Sequence, residues 1–120
     1  MQKSEFNSLI KEGFNHIPLS REIVVDTLTP LALYLKLANK PYSYFLESVQ
    51  GGEKWGRYSF IGLAAETVIK VNNYQVRVEK NGKSTQEQSV KDPLAWIEEY
   101  QNQFKVPQLD SLPDFNGGLV

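Results

Sequence analysis

Residues 66–82, ETVIKVNNYQVRVEKNG, decide the fold class of this chain. From Thr67 to Val71 the side chains alternate with a period of two, which is typical of a strand with one buried face. Asn72-Asn73 then favours a tight turn into a second strand over residues 74–80. Two strands joined in this way pair antiparallel, so the segment predicts a mostly antiparallel sheet.

Regular elements are predicted on both sides of this segment. Apolar runs bounded by turn residues predict further strands over residues 17–26, 42–48 and 57–63, beside those over 67–72 and 74–80. Helical spacing of apolar residues predicts helices over residues 5–14, 30–39 and 93–105. The predicted class is therefore α+β: a mostly antiparallel, twisted sheet with helices covering one face. The polar segment KSTQEQSVK after Asn81-Gly82 is predicted to be a surface connection.

Capping residues place the starts of the second and third helices. Thr29 before Pro30 and Asp92 before Pro93 combine a side-chain acceptor with a proline whose missing N–H costs nothing at that position. The residues predicted to face inward are Leu31, Leu35 and Ala38 in the second helix, and Leu94, Ile97, Tyr100 and Phe104 in the third.

The composition excludes several classes of function. The chain has 120 residues, of which 41% are hydrophobic, and this suits one globular domain. Its formal net charge of -1 provides no basic surface for nucleic acid or an anionic membrane. The N-terminus lacks the apolar core of a signal peptide, and no stretch approaches the ~20 apolar residues of a membrane span. We expect a cytoplasmic protein that binds neither nucleic acid nor membrane.

The residue counts also narrow the chemistry. There is no cysteine, which rules out disulfides, thiolate metal sites and cysteine nucleophiles. The single histidine, His16, lies between two predicted elements and near no nucleophile elbow, so it is predicted to be a solvated loop residue. No cluster has the spacing of a zinc site. We therefore expect no catalytic residue and no bound metal within this chain.

The polar stretch ESVQGGEKWGRYSF, residues 47–60, lies between two predicted strands. Binding groups are often found on loops that a rigid scaffold holds, so this stretch is a candidate site. Gly51-Gly52 either lets backbone amides approach a ligand or forms a plain hairpin turn. It is not a phosphate-binding P-loop, because no GK[ST] sequence and helix follow it.

Three segments, read in order, resemble the N-terminal region of the anthranilate and aminodeoxychorismate synthase component I family. They are DTLTPLALYLKL (26–37), YSYFLESVQGGEKWGRYSFIG (42–62) and LPDFNGGLV (112–120). The family's LLES motif appears here as FLES, residues 45–48, with phenylalanine replacing the first leucine. The resemblance covers most of the chain and is weaker over residues 1–20 and 81–106.

The resemblance implies a parent enzyme that converts chorismate to anthranilate and pyruvate with Mg²⁺, in tryptophan biosynthesis. Its ammonia would come from a glutamine amidotransferase subunit, component II. In the family, the chorismate and Mg²⁺ residues lie in a later chorismate-binding domain. Residues 1–120 would then be an N-terminal regulatory domain that is inactive alone. Leu119-Val120 look like the start of another strand, which adds to the expectation that the chain is the front part of a longer polypeptide.

The resemblance also implies that this region contributes the allosteric site for tryptophan, the feedback inhibitor, with the serine of the LLES motif at its centre. An amino-acid ligand needs hydrogen-bond donors, acceptors and an apolar slot close together. Glu47 would accept from the ammonium, Arg57 would bind the carboxylate, and Ser48 would add a hydroxyl. The predicted site residues are Leu46, Glu47, Ser48, Arg57, Tyr58 and Ser59, with Phe60 as a further part of the apolar wall.

Strand alternation limits this assignment. It places Leu46 and Ser48 on one face and Glu47 on the other, so Glu47 joins the pocket only through its backbone or where the strand ends. It likewise separates Arg57 and Ser59 from Tyr58. An ion pair between Glu47 and Arg57 that closes the hairpin is the structural alternative.

Two other functions remain open at this point. The sibling component I that makes aminodeoxychorismate for folate resembles the same residues. A non-catalytic amino-acid-binding domain would also account for the composition of residues 47–60.

Overall fold

The computed structural model describes residues 1–47, 58–112 and 118–120. It divides into two compact units, which we describe separately. The terminal unit comprises Met1–Ile23 and Val90–Val120, and the central unit comprises Val24–Ser89. The elements in chain order are α1 (Lys3–Lys11), α2 (Pro30–Leu37), β1 (Tyr44–Glu47), β2 (Ser59–Gly62), β3 (Thr67–Asn72), β4 (Gln75–Lys80), β5 (Lys83–Ser89) and α3 (Pro93–Asn102). Helices and antiparallel sheets confirm the α+β class.

The central unit contains two antiparallel sheets where the sequence predicted one. β1 pairs with β2, and β3, β4 and β5 form a separate sheet in that order. The predicted hairpin of residues 67–80 is confirmed, but its two-residue turn is Asn73-Tyr74 and not Asn72-Asn73, because Asn72 is still paired with Gln75. Val76 and Val78 on β4 are only 1% and 5% exposed, so the alternation of this strand does bury one face.

The opposite face of this sheet carries a network of charges. Lys70 Nζ lies 2.8 Å from Glu79 Oε2, and Arg77 donates to Glu87 Oε1 at 3.0 Å. The hydrogen bond to Glu79, followed by one to Tyr42, raises the pKa of the Lys70 ammonium. Lys70, Arg77 and Glu87 are exposed and Glu79 is half-buried, so water screens these ion pairs and they contribute little to stability.

The prediction for residues 83–89 is wrong, because this segment is strand β5 and not a surface connection. Asn81 and Gly82 have φ angles of 50° and 75°, the left-handed pair that a tight two-residue hairpin turn requires. β5 then continues the ladder along β4, with a bulge between Val78 and Glu79. Its side chains are nearly all exposed. A strand at a sheet edge is held by backbone hydrogen bonds and does not need apolar side chains. The polar side chains of residues 83–89 therefore wrongly indicated a connection.

The strand predicted over residues 17–26 is also wrong, since the segment has no regular secondary structure. Ile23 and Val24 are 71% and 81% exposed, and no strand among the described residues pairs with this segment. An extended chain becomes a strand only when a partner completes its hydrogen bonds. Leu119 and Val120, predicted to begin a strand, have no regular secondary structure either.

The helix caps are confirmed. Thr29 Oγ1 accepts from Ala32 N at 3.1 Å, and Asp92 Oδ1 accepts from Leu94 N at 3.0 Å. The inward faces are only partly as predicted: Ala38 is fully buried, and Ile97, Tyr100 and Phe104 are half-buried. The predicted inward residues Leu31, Leu35 and Leu94 are exposed, because no described element covers them. No helix in the described part of the chain is long and apolar enough to span a membrane.

Asn15 holds the terminal unit together. Its side chain donates to Gln103 O at 2.8 Å and accepts from Lys105 N at 2.7 Å, which joins the segments that follow α1 and α3. His16 packs edge-on against Phe104 with ring centroids 4.5 Å apart. The histidine is exposed, as predicted for a loop residue, and serves as a packing group.

Gly62 on β2 lies opposite Tyr44 on β1, and a Cβ at Gly62 would overlap the tyrosine ring. We expect Gly62→Val to lower the free energy of unfolding by about 1–3 kcal/mol, because the ring must leave its place. Urea denaturation of the 120-residue chain measures the loss. Adding Tyr44→Ala should make the double variant lose less than the sum of the two single variants. Strictly additive losses would show that this overlap is not the cause.

Candidate functional site

The candidate site lies at one end of the β1–β2 ladder. Glu47 is the last residue of β1 and pairs with Ser59, the first residue of β2. The register brings these two side chains to the same face although they are 12 residues apart in sequence. Ser48 and Arg57, which the sequence also predicts for the site, lie outside the described residues, and so does the alternative ion pair between Glu47 and Arg57.

The polar half of the site is a carboxylate with a hydroxyl beside it. Ser59 Oγ donates to Glu47 Oε1 at 3.4 Å, a long hydrogen bond. Glu47 is exposed and Ser59 is half-buried. The two carboxylate oxygens of Glu47 have more lone pairs than the one bond from Ser59 uses, so they can accept from a cationic ligand group such as an ammonium.

The apolar half is on the opposite face of the two strands. Leu46 pairs with Phe60, and the Tyr58 ring stacks on Phe60 with centroids 6.4 Å apart. Leu46 and Tyr58 are exposed. They form an apolar and aromatic surface that can receive a flat ring by offset stacking.

The division into two faces is the one that strand alternation predicts. Glu47 and Ser59 share one face, and Leu46 shares the other with Tyr58. The structure therefore brings together two pairs of predicted residues, not a single cluster. To contact both pairs, a single ligand would have to reach from one face of the ladder to the other at the Glu47–Ser59 pair. Glu47 is the last described residue of β1.

Helix α2 supports the Glu47 face, and sequence reasoning missed this contact. The Tyr34 ring stacks on Phe45, two residues before Glu47, with centroids 5.6 Å apart. Tyr34 OH lies 3.1 Å from Ser43 Oγ, and Ser43 Oγ donates to Lys40 O at 2.7 Å. Because the serine's one proton is used there, Tyr34 is the donor to Ser43. The sequence did contain a signal for this contact: Tyr34 is four residues before the buried Ala38 and so lies on the same side of the helix.

The residues that the structure describes form no cluster that fits a magnesium site. Across residues 1–47, 58–112 and 118–120, no group of three or more histidine, aspartate or glutamate side chains is placed to hold a metal ion. Mg²⁺ is ordinarily held by carboxylates together with water or substrate phosphates. We assign no metal chemistry to these residues.

A cavity of about 270 Å³ lies in the terminal unit and contains none of the predicted site residues. Its lining includes Met1, Glu5, Pro18, Leu109 and Leu112. Glu5 Oε2 already accepts from Gln2 N at the start of α1, so the charged group of the cavity has a structural role.

Comparison with known proteins shows which proteins this chain is similar to. Over 120 residues the chain is 52% identical to anthranilate synthase component 1 of Pseudomonas aeruginosa and 50% identical to that of Neisseria meningitidis. It is 41% identical over 112 residues to the component 1 of Aquifex aeolicus. The first two alignments include the whole chain and 24% of each relative, and the third includes 92% of the chain and 22% of the relative. No family model and no solved structure matches.

The chain thus spans about a quarter of the length of these relatives, and the matched quarter is the N-terminal one. The resemblance seen in the FLES motif and the segments around it is confirmed along the full chain. By identity over its whole length, the chain is related to the N-terminal region of the anthranilate synthase component 1 family.

Proposed function

We propose that this chain acts as the N-terminal part of an anthranilate synthase component 1. The observation that carries the proposal is the 52% identity, over every residue of the chain, to a protein of that name. The aligned region includes both strands of the candidate site and both units. The proposed activity belongs to the full-length protein, because the chain spans only 24% of that relative and no group of three or more acidic or histidine side chains among the described residues is placed to hold a metal ion.

In this proposal the full-length protein converts chorismate and ammonia to anthranilate and pyruvate, the step that commits chorismate to tryptophan. A component II subunit supplies the ammonia from glutamine. Mg²⁺ and chorismate bind in the part of the protein that the relatives have beyond this quarter. When bound, Mg²⁺ supplies positive charge that stabilises negative charge on chorismate. The role of residues 1–120 is regulatory.

The regulatory ligand is tryptophan, and we place its site at the end of the β1–β2 ladder. The Glu47 carboxylate accepts from the α-ammonium of the ligand. The Ser59 hydroxyl donates to the same Glu47 carboxylate and holds it in place. The indole ring lies against the exposed surface of Leu46 and Tyr58. From the sequence, Arg57 binds the ligand carboxylate and Ser48 adds a hydroxyl.

One assay tests the catalytic part of the proposal. The full-length protein with Mg²⁺ and ammonium salt is expected to convert chorismate to a fluorescent product that mass spectrometry identifies as anthranilate. The 120-residue chain under the same conditions is expected to show no turnover above the uncatalysed rate. Aminodeoxychorismate as the product would assign the protein to the folate pathway, and turnover by the 120-residue chain would refute the regulatory role.

A further inference from the structure

Helix α2 and its C-cap residue Ala38 carry two apolar surfaces, and the described part of the chain covers one of them. Tyr34 and Ala38 form the covered surface, where Tyr34 stacks on Phe45 and Ala38 is fully buried. Leu31 and Leu35 are four residues apart and so lie together along one edge of the helix. They are 53% and 56% exposed.

The exposed edge is part of the same apolar stripe as the covered surface. Leu31, Leu35 and Ala38 follow the spacing of one helix face, which predicts that all three are buried. Only Ala38 is. A helix of eight residues is too short to be stable alone and depends on packing of its apolar side chains. We call the edge formed by Leu31 and Leu35 the outer edge. Its exposed apolar side chains make it a candidate contact surface for another part of a protein.

The length of the relatives identifies that partner. The chain accounts for 24% of the component 1 protein of Pseudomonas aeruginosa, so about three quarters of such a protein lies outside these residues. A segment in the same polypeptide has a high effective concentration at the outer edge, which a second copy of the chain lacks. The outer edge consists of two leucines with no charged group between them. It therefore suits a partner segment whose contact surface is also apolar.

The covered surface of α2 leads to the candidate site. Phe45 and Glu47 are two residues apart on β1 and lie on the same face, so the ring that Tyr34 contacts adjoins the carboxylate. The Tyr34 hydrogen bond to Ser43 fixes the helix to the residue before β1. A shift of β1 therefore reaches α2 through a ring stack and a hydrogen bond.

We infer that α2 couples the candidate tryptophan site to the rest of a full-length component 1: its covered surface holds β1, and its outer edge of Leu31 and Leu35 docks on the remaining three quarters. This inference rests on the proposed function. Ligand bound at Glu47 favours one position of β1. Helix α2 moves with β1 as a rigid element, and the outer edge passes this movement to the rest of the protein. Removing the docking contact should separate binding from inhibition.

The test uses full-length protein with the double substitution Leu31→Gln and Leu35→Gln. Tryptophan affinity is measured by calorimetry without chorismate, and inhibition is measured from initial rates of anthranilate formation. The matched control is Leu37→Gln, because Leu37 is 62% exposed and lies off the outer edge. We expect the double variant to bind tryptophan within about threefold of wild type, while the half-inhibiting concentration rises about tenfold or more. The control should change neither value.

Three results would overturn the inference. Inhibition of the double variant at wild-type tryptophan concentrations would show that the outer edge carries no coupling. Equal losses of binding and inhibition would place the effect in the site itself. A wild-type protein that forms anthranilate but binds no tryptophan would remove the regulatory site, and this inference with it, while leaving the catalytic proposal intact.

A second variant guards against a folding defect. Leu31→Ala with Leu35→Ala keeps good helix formers in α2 and still removes most of the leucine surface. It is expected to show the same separation of binding from inhibition. If both double variants are folded by circular dichroism and both are inhibited normally, the inference is wrong.

Discussion

Replacing Glu47 with glutamine in the full-length protein is expected to raise the half-inhibiting tryptophan concentration about 10- to 100-fold, because a hydrogen bond to a charged group contributes roughly 1.5–3 kcal/mol. Glutamine has nearly the same shape and can still accept from Ser59. Only the negative charge that pairs with the ligand ammonium is lost. The maximal rate without tryptophan should stay unchanged, since Glu47 takes no part in the proposed chemistry. Initial rates against tryptophan concentration measure both values.

Two controls make this prediction specific. Glu66→Gln removes the same charge from another exposed glutamate of the central unit and should leave inhibition unchanged. Indole-3-propionate has the ring and carboxylate of tryptophan without the ammonium, so its weak binding should be the same in wild type and Glu47→Gln. Unaltered tryptophan inhibition of Glu47→Gln would remove this carboxylate from the site.

Replacing Val76 with aspartate is expected to destabilise the chain by about 4 kcal/mol or more, because burying a carboxylate without a partner is among the costliest single changes. Val76 is 1% exposed and lies on the central strand of the β3–β4–β5 sheet. Such a loss is close to the whole stability of a small domain. Urea denaturation followed by circular dichroism should therefore show a chain that is largely unfolded before denaturant is added.

The neighbouring valine provides a matched control. Val71 pairs with Val76 across the ladder and is 44% exposed, so Val71→Asp leaves its carboxylate in water. It is expected to cost about 1 kcal/mol, the range of strand propensity. Equal losses for the two variants would contradict the burial that we assign to Val76.

Local interactions account for what the sequence predicted correctly. Thr29 and Asp92 cap their helices by accepting hydrogen bonds from backbone amides within three residues, so no distant partner is needed. The β3–β4 hairpin likewise depends on alternation and one tight turn. The separation of Glu47 and Leu46 onto opposite faces follows from the geometry of a single strand.

The sequence by itself therefore determined the α+β class, the helix starts, the β3–β4 hairpin and the family relationship, all of which depend on short-range patterns. Only the tertiary structure decided that residues 83–89 form a strand and residues 17–26 do not, because a strand exists only where another backbone completes its hydrogen bonds. It also decided which apolar residues are covered: the patterns of Leu31, Leu35 and Leu94 predicted burial, but burial requires a second element against which to pack. For the same reason, the register that sets Ser59 opposite Glu47 and the stack of Tyr34 on Phe45 became visible only in the folded chain.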